Sequence, residues 1–116
     1  MPIAQKLGGV VPGTLDMLIL KTLALEPLHA YGVGLRIDQI SQGVFQVNAG
    51  SLFPAFRRLE RQGWIQGDWR ATENNRRAKY YRLTDAGRKK LKIEAHEWQA
   101  QSAAIARILE ATSGEV

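Results

Sequence analysis

Apolar positions along this chain recur at spacings that change from one segment to the next, and each change marks an element. Leu15, Leu18, Ile19, Thr22 and Leu23 return on one side at helical spacing, so a short core helix is predicted over Leu15 to Leu25. Thr14 caps it, Asp16 places a negative charge in its first turn, and Pro27 stops it. A second helix follows from about Ala30 to Ser41, with Val33, Ile37 and Ile40 inward and Arg36, Asp38 and Gln39 outward. Gly32 and Gly34 weaken that helix and point to close packing of another backbone; Gly43 ends it. Phe45, Gln46 and Val47 alternate like a short strand.

The third helix runs to about Gln62, with Gly63 as its terminator. Two starts are open. A cap at Ser51 places Pro54 in the first turn, where its missing donor costs nothing, whereas a cap at Asn48 requires a first turn distorted around Pro54. Leu52, Ala55, Phe56 and Leu59 share one side of the helical wheel. Phe53, Pro54, Arg57 and Arg61 share the other, with Arg58 at its edge.

Two runs rich in aromatic and aliphatic residues, Trp64 to Arg70 and Ala78 to Leu83, flank a polar loop whose paired asparagines tolerate positive φ. They read as a β-hairpin with a basic tip. Trp64 and Trp69 are expected as sheet and core residues, and Tyr80 and Tyr81 point to opposite faces, so that one is core. Thr84 then caps a long helix reaching about Ala111, with Asp85 in its first turn. Along it Leu91, Ala95, Trp98, Ser102, Ile105 and Leu109 fall at alternating steps of four and three, a heptad seam.

Three helices followed by a hairpin is the order of a winged helix-turn-helix. The expected fold is therefore mostly α with a small β-hairpin, followed by a long C-terminal dimerisation helix. The division is a lead-in over 1–13, a winged-helix unit over 14–83, the dimerisation helix over 84–111 and a tail over 112–116.

Composition sharpens this. A chain of 116 residues suits one compact domain with an appended helix. It has no cysteine, which excludes disulfides and thiolate zinc sites and fits a reducing cytosol. Leu15 to Leu25 is interrupted by Asp16 and Lys21 and falls short of the roughly 20 residues a membrane span needs. A soluble, cytoplasmic chain is expected. The net charge of +5 is unevenly spread: twelve of the sixteen basic residues lie between Arg57 and Lys92, opposed there only by Glu60, Asp68, Glu73 and Asp85. That asymmetry favours a polyanion on one side of the molecule.

In a winged helix the third helix enters the DNA major groove and the hairpin lies along the backbone or in the minor groove. Arg57, Arg58 and Arg61 project from the face the core does not need, while Arg76, Arg77 and Lys79 sit at the hairpin tip. Together with Ser51, Phe53 and Pro54 they form the expected contact set for double-stranded DNA. The arginines can read guanine or hold phosphate. The seam on the last helix calls for a cover, either a second copy of the chain or the first helix of its own domain. Trp98 is in addition a candidate to hold a planar small molecule at a dimer interface. His29 and His96 fall in different elements, His29 reads as a structural residue, and no catalytic, metal or cofactor site emerges. The rival functions are a protein-interaction module and a nucleic-acid binder guided by charge alone.

The runs Gly13-Thr14-Leu15-Asp16, His29-Ala30-Tyr31-Gly32, Gly50-Ser51-Leu52-Phe53-Pro54-Ala55-Phe56-Arg57-Arg58-Leu59-Glu60 and Lys79-Tyr80-Tyr81-Arg82-Leu83-Thr84 together resemble the PadR family of transcriptional regulators. The resemblance extends from about Thr14 to Leu109. It implies a dimeric winged-helix protein, commonly a repressor that leaves DNA when an effector or stress signal arrives. It also implies the short subfamily, in which one C-terminal helix dimerises. Ala30 stands where the family usually has glycine, and Phe53 where it usually has a tyrosine whose hydroxyl contacts DNA; Phe53 retains only apolar contact with a sugar or thymine methyl. Some relatives bind planar aromatic effectors between subunits, which bears on Trp98.

Overall fold

The structure, a computed structural model, describes residues 13–114. The lead-in expected over 1–13 therefore lies, apart from Gly13, outside the described residues, as do the last two residues of the tail. The element order is α1 (Leu15–Leu25), β1 (Leu28–His29), α2 (Ala30–Ile40), α3 (Ala49–Arg61), β2 (Ile65–Ala71), β3 (Arg77–Leu83) and α4 (Asp85–Glu110).

The core gathers most of the apolar positions read from the sequence, with Leu20 added to the face of α1; Ile40, expected inward on α2, is instead 55% exposed in the last turn, bordering an open cleft with Leu25 and Phe45. Ile19, Leu20 and Leu23 of α1, Val33 and Ile37 of α2, Leu52, Ala55, Phe56 and Leu59 of α3, and Ile65, Tyr81 and Leu83 of the sheet are all buried together. Thr22 is buried among them because its hydroxyl donates to the Leu18 carbonyl at 2.7 Å, satisfying it within its own helix. Thr14 takes the N-cap position of α1 through its carbonyl, which accepts from Leu18 N at 3.1 Å, and not through a side-chain cap bond.

Two local expectations give way. Phe45, Gln46 and Val47 form no strand: with no sheet edge beside them, their alternation serves to half-bury Phe45 and Val47 against the core and expose Gln46. The hairpin, in turn, is not a free ribbon. Leu28 and His29 pair antiparallel with Tyr81 and Tyr80, so the sheet has three strands in the order β1-β3-β2. A two-residue strand has no periodicity to betray it. The same two residues launch α2, whose Gly32 N–H donates to His29 Nδ1 at 2.9 Å, so His29 caps the helix with its ring and packs edge-on against Tyr80, 5.3 Å between centroids. The crowding in α2 is at Gly34 and comes from a side chain, not from the backbone expected there: a Cβ would stand 2.9 Å from Leu52 Cδ1 of α3, with the Val47 carbonyl oxygen at 3.7 Å.

The junction between α3, the hairpin and α4 is the most constrained part of the chain. Gly63 adopts φ 79°, and the bonds Gly63 N to Glu60 O (3.0 Å) and Trp64 N to Leu59 O (3.1 Å) close α3 in a Schellman turn. Thr84 binds both sides of the junction: its hydroxyl donates to Gly63 O at 2.7 Å and accepts from Gly87 N at 3.0 Å as the cap of α4. Gly87 is the only residue type that fits there, since a Cβ would lie 2.0 Å from the Trp64 carbonyl oxygen.

The sheet carries a second tie. Tyr81 is buried against Phe56 of α3, ring centroids 4.6 Å apart, and Lys79 Nζ donates to Glu60 Oε1 at 2.9 Å. The bond to Glu60 raises the Lys79 pKa above its ordinary 10.5, and burial raises Tyr81 above its ordinary 10.0.

Two outcomes follow from these ties. Gly87→Ala forces either α4 or the Trp64 carbonyl to move and should lower unfolding free energy by more than about 2 kcal/mol in urea melts, in the range of severe overpacking. Both raised pKa values also act with one sign. Lys79 contributes fully below pH 10.5 and loses its pairing as pH rises through its folded-state value, while the unfolded chain ionises Tyr81 near pH 10.0 before the folded chain does. Stability should therefore fall as pH rises above 10.0, and Lys79→Met with Tyr81→Phe should flatten that slope in pH-dependent denaturation.

Candidate nucleic-acid interface

Helix α3 starts at Asn48, which resolves the two alternatives. The Asn48 side chain accepts from Ser51 N at 2.9 Å, and its carbonyl is shared between Ser51 N (3.1 Å) and Leu52 N (3.0 Å). Pro54 consequently lies inside the helix, one turn in, where it withholds the donor that would otherwise reach the Gly50 carbonyl. Ser51 is an exposed first-turn residue rather than the cap.

The division of α3 into two faces holds residue by residue. Leu52, Ala55, Phe56 and Leu59 are buried, whereas Phe53, Pro54, Arg57, Arg58 and Arg61 are exposed. The cations differ in circumstance. Arg58, at the edge of the face, forms an ion pair with Asp16, its Nε donating to Oδ2 at 3.4 Å, and so ties α3 to α1. Among the described residues no carboxylate pairs with Arg57, Arg61 or Arg76. Lys79 is half-buried and held by Glu60, which removes it from the tip and makes it a fastener between α3 and the sheet.

The hairpin places its side chains by strict alternation. Ile65, Gly67, Trp69 and Ala71 of β2 stand opposite Leu83, Tyr81, Lys79 and Arg77 of β3, and this is the face that meets α3. Burial fades along it from Ile65 and Leu83 to the tip, so Trp69 is 59% exposed rather than part of the core. Its ring lies under the Arg77 guanidinium, 5.6 Å from the centroid. The tip turns at Asn75, with φ 60°, as the paired asparagines allow. Arg57 sits close enough to the Tyr81 phenol, alongside Lys79, to oppose the rise that burial imposes on it. The exposed face of α3 and the α3-facing side of the hairpin therefore adjoin.

One exposed aromatic escaped the sequence reading. Tyr31, on the outer side of α2, is 69% exposed and lines, with Leu35, Asn48 and Phe53, a cleft of about 510 Å³ beside the start of α3. The available signal was its position on the wheel opposite Val33 and Ile37.

Helix α4 leaves the body early. Leu91 packs partly against the core, and the segment from Glu94 to Ile105 borders a cleft of about 420 Å³ with Gly13, Thr14 and Met17, into which Trp98 contributes. Ile105 at its end is half exposed, and beyond it Ile108 and Leu109 are exposed, Leu109 by 79%. Packing on α1 accounts for the first half of the seam only. Among the described residues no helix is long and apolar enough to cross a membrane.

Comparison with known proteins agrees with this arrangement. A PadR family transcriptional regulator from Eggerthella lenta superimposes with a TM-score of 0.75 at 31% identity, over 86% of this chain and 85% of that one. A transcriptional regulator from Clostridium thermocellum gives 0.77 at 28% identity, over 84% and 95%. An uncharacterized protein X of Lysinibacillus sphaericus is 27% identical over 89 residues, 77% of this chain and 82% of that protein. The profile of the transcriptional regulator PadR-like family matches residues 19–93, from the middle of α1 into α4. With four helices, a three-stranded antiparallel sheet and a protruding final helix in the winged-helix order, the chain belongs to the PadR-like family of transcriptional regulators.

Proposed function

We propose that this chain is a repressor that binds a palindromic operator as a homodimer, with residues 14–83 as the DNA-binding unit and 84–111 as the dimerising helix. The observation that carries the reading is the packing of the hairpin on α3 through Tyr81 and Phe56, with the Lys79–Glu60 pair beside it, while Arg57 and Arg61 stay exposed on α3 and Arg76 and Arg77 exposed on the hairpin. Helix α3 enters the major groove, with Arg57 and Arg61 towards base edges and Ser51, Phe53 and Pro54 at its leading end. Arg58 acts here through α1, since its guanidinium is engaged by Asp16.

Dimerisation rests on the distal seam. Ile105 and Leu109, with Ala95, Trp98 and Ser102 before them, present apolar surface that nothing in the described chain covers completely. Binding a palindromic operator requires a two-fold pair with its α3 helices about 34 Å apart, one turn of DNA. The cleft beside Trp98 is the place for a planar aromatic effector, because its lining joins the apolar Met17, Trp98 and Ile105 to the polar Glu97 and Gln101.

A duplex selected from a random library by the full chain supplies the probe. In a salt titration against its scrambled counterpart, a regulator of this kind should bind the selected duplex far more tightly, whereas charge-guided binding gives equal affinities and equal slopes. Arg57→Ala should lower affinity for the selected duplex by about 1–3 kcal/mol and leave scrambled DNA nearly unaffected. Equal losses on both would reduce Arg57 to a phosphate contact. Ile105→Glu combined with Leu109→Glu should turn the dimer into a folded monomer in sedimentation velocity and weaken operator binding; a dimer that persists would move the interface elsewhere.

A further inference from the structure

The hairpin contains one arrangement that the reading above leaves unused. Trp69 is a large aromatic residue left mostly in solvent, on the same sheet face as Tyr81 and Lys79, and the Arg77 guanidinium lies over its ring. This indole stands on the sheet face that meets α3, the helix that carries Arg57. The order along β3 is graded: Tyr81 rests on Phe56, Lys79 holds Glu60, and Arg77 with Trp69 continues past the end of α3 with nothing packed on them among the described residues.

The place of this pair in a winged helix points to what it meets. Arg77 lies four residues nearer the hairpin tip than Tyr81, which is packed on α3. With α3 seated in the major groove, the hairpin of such a fold lies along the backbone or in the minor groove. A guanidinium is the group that a narrow minor groove attracts, because A·T-rich sequence concentrates negative potential there. Stacking on the indole limits the conformers of Arg77 before DNA arrives, so less freedom is lost on binding.

We propose that Trp69 is a platform that positions the Arg77 guanidinium, and that the pair reads a narrow, A·T-rich minor groove flanking the stretch contacted by α3. The inference rests on the DNA-binding reading and assigns to Trp69 a positioning role and to the operator a flanking preference. Trp69 acts through Arg77, so its contribution vanishes when Arg77 is absent.

The test uses the full chain and the duplex it selects from a random library, with affinity followed by fluorescence anisotropy. Trp69→Ala should weaken binding about three- to fivefold, the scale of one exposed cation–π contact, without shifting the thermal midpoint. Trp69→Phe should recover most of the loss, and Trp69→Ala combined with Arg77→Ala should bind no worse than Arg77→Ala alone. Replacing flanking A·T pairs by G·C should weaken the wild-type chain, and inosine·C pairs should restore it, because inosine lacks the N2 amino group that obstructs the minor groove. Arg77→Ala should be indifferent to these flank changes, and Trp69→Ala should discriminate between flanks less than the wild type does. The proposal is overturned if Trp69→Ala binds as the wild type does, if it keeps the wild type's full flank discrimination, or if inosine·C flanks bind as poorly as G·C. Failure of the wild-type chain to enrich any duplex would instead remove the DNA-binding reading beneath it.

Discussion

The packing of Phe56 against Tyr81 fixes how α3 stands relative to the hairpin, and every surface the molecule offers depends on that relation. Phe56 is wholly buried and Tyr81 nearly so, their rings 4.6 Å apart. Burying a side chain of this size is worth about 1.5–3 kcal/mol, with about 0.5–1.5 kcal/mol more for an aromatic pair. The neighbouring Lys79–Glu60 pair, each side chain about a third exposed, belongs to a class worth about 0–1 kcal/mol. Apolar contact therefore supplies the energy of the joint. The ion pair supplies its register, since a slip of one residue along β3 would turn Lys79 to the opposite face and carry Tyr81 out of the core.

The same hierarchy operates at the other joints. Thr84 and Gly87 bring α4 against the α3–β2 turn so closely that a methyl group would collide with backbone, and the direction in which α4 leaves the body is set there. Asp16 and Arg58 tie α1 to α3 at the surface. The body is thus a rigid platform from which two elements protrude, the hairpin tip and the distal half of α4. Both carry side chains that a folded monomer has no use for: Trp69 and Arg77 on one, Ile105, Ile108 and Leu109 on the other. Exposed apolar and aromatic groups on rigid protrusions are the physical form that recognition takes in a chain this small.

Conformational economy links these features to function. A regulator that must distinguish one duplex from many gains from cations whose freedom is already restricted, because the entropy lost on binding is smaller. Arg77 over Trp69 is restricted in this sense, whereas Arg57 and Arg61, without carboxylate partners among the described residues, keep their side-chain freedom. Arg58 is paired with Asp16 while its side chain stays 44% exposed.

Much of this was legible in the sequence, and the reason is periodicity. Helix α1 lies where its apolar spacing put it, the buried side of α3 is Leu52, Ala55, Phe56 and Leu59 as the wheel requires, and the turn at Gly63 and cap at Thr84 follow from local backbone chemistry. Such features depend on neighbours within a few residues, so the chain determines them alone. What depends on distant partners was decided only by the tertiary structure. The two-residue strand β1 exists because β3 has an open edge, and Phe45 to Val47 fails to be a strand because no edge lies beside it. Trp69 is outside the core because the hairpin outruns it, and Arg58 and Lys79 are fasteners because Asp16 and Glu60 happen to meet them. An arginine's charge is written in the sequence; whether a carboxylate 42 positions away has already claimed it is a property of the fold.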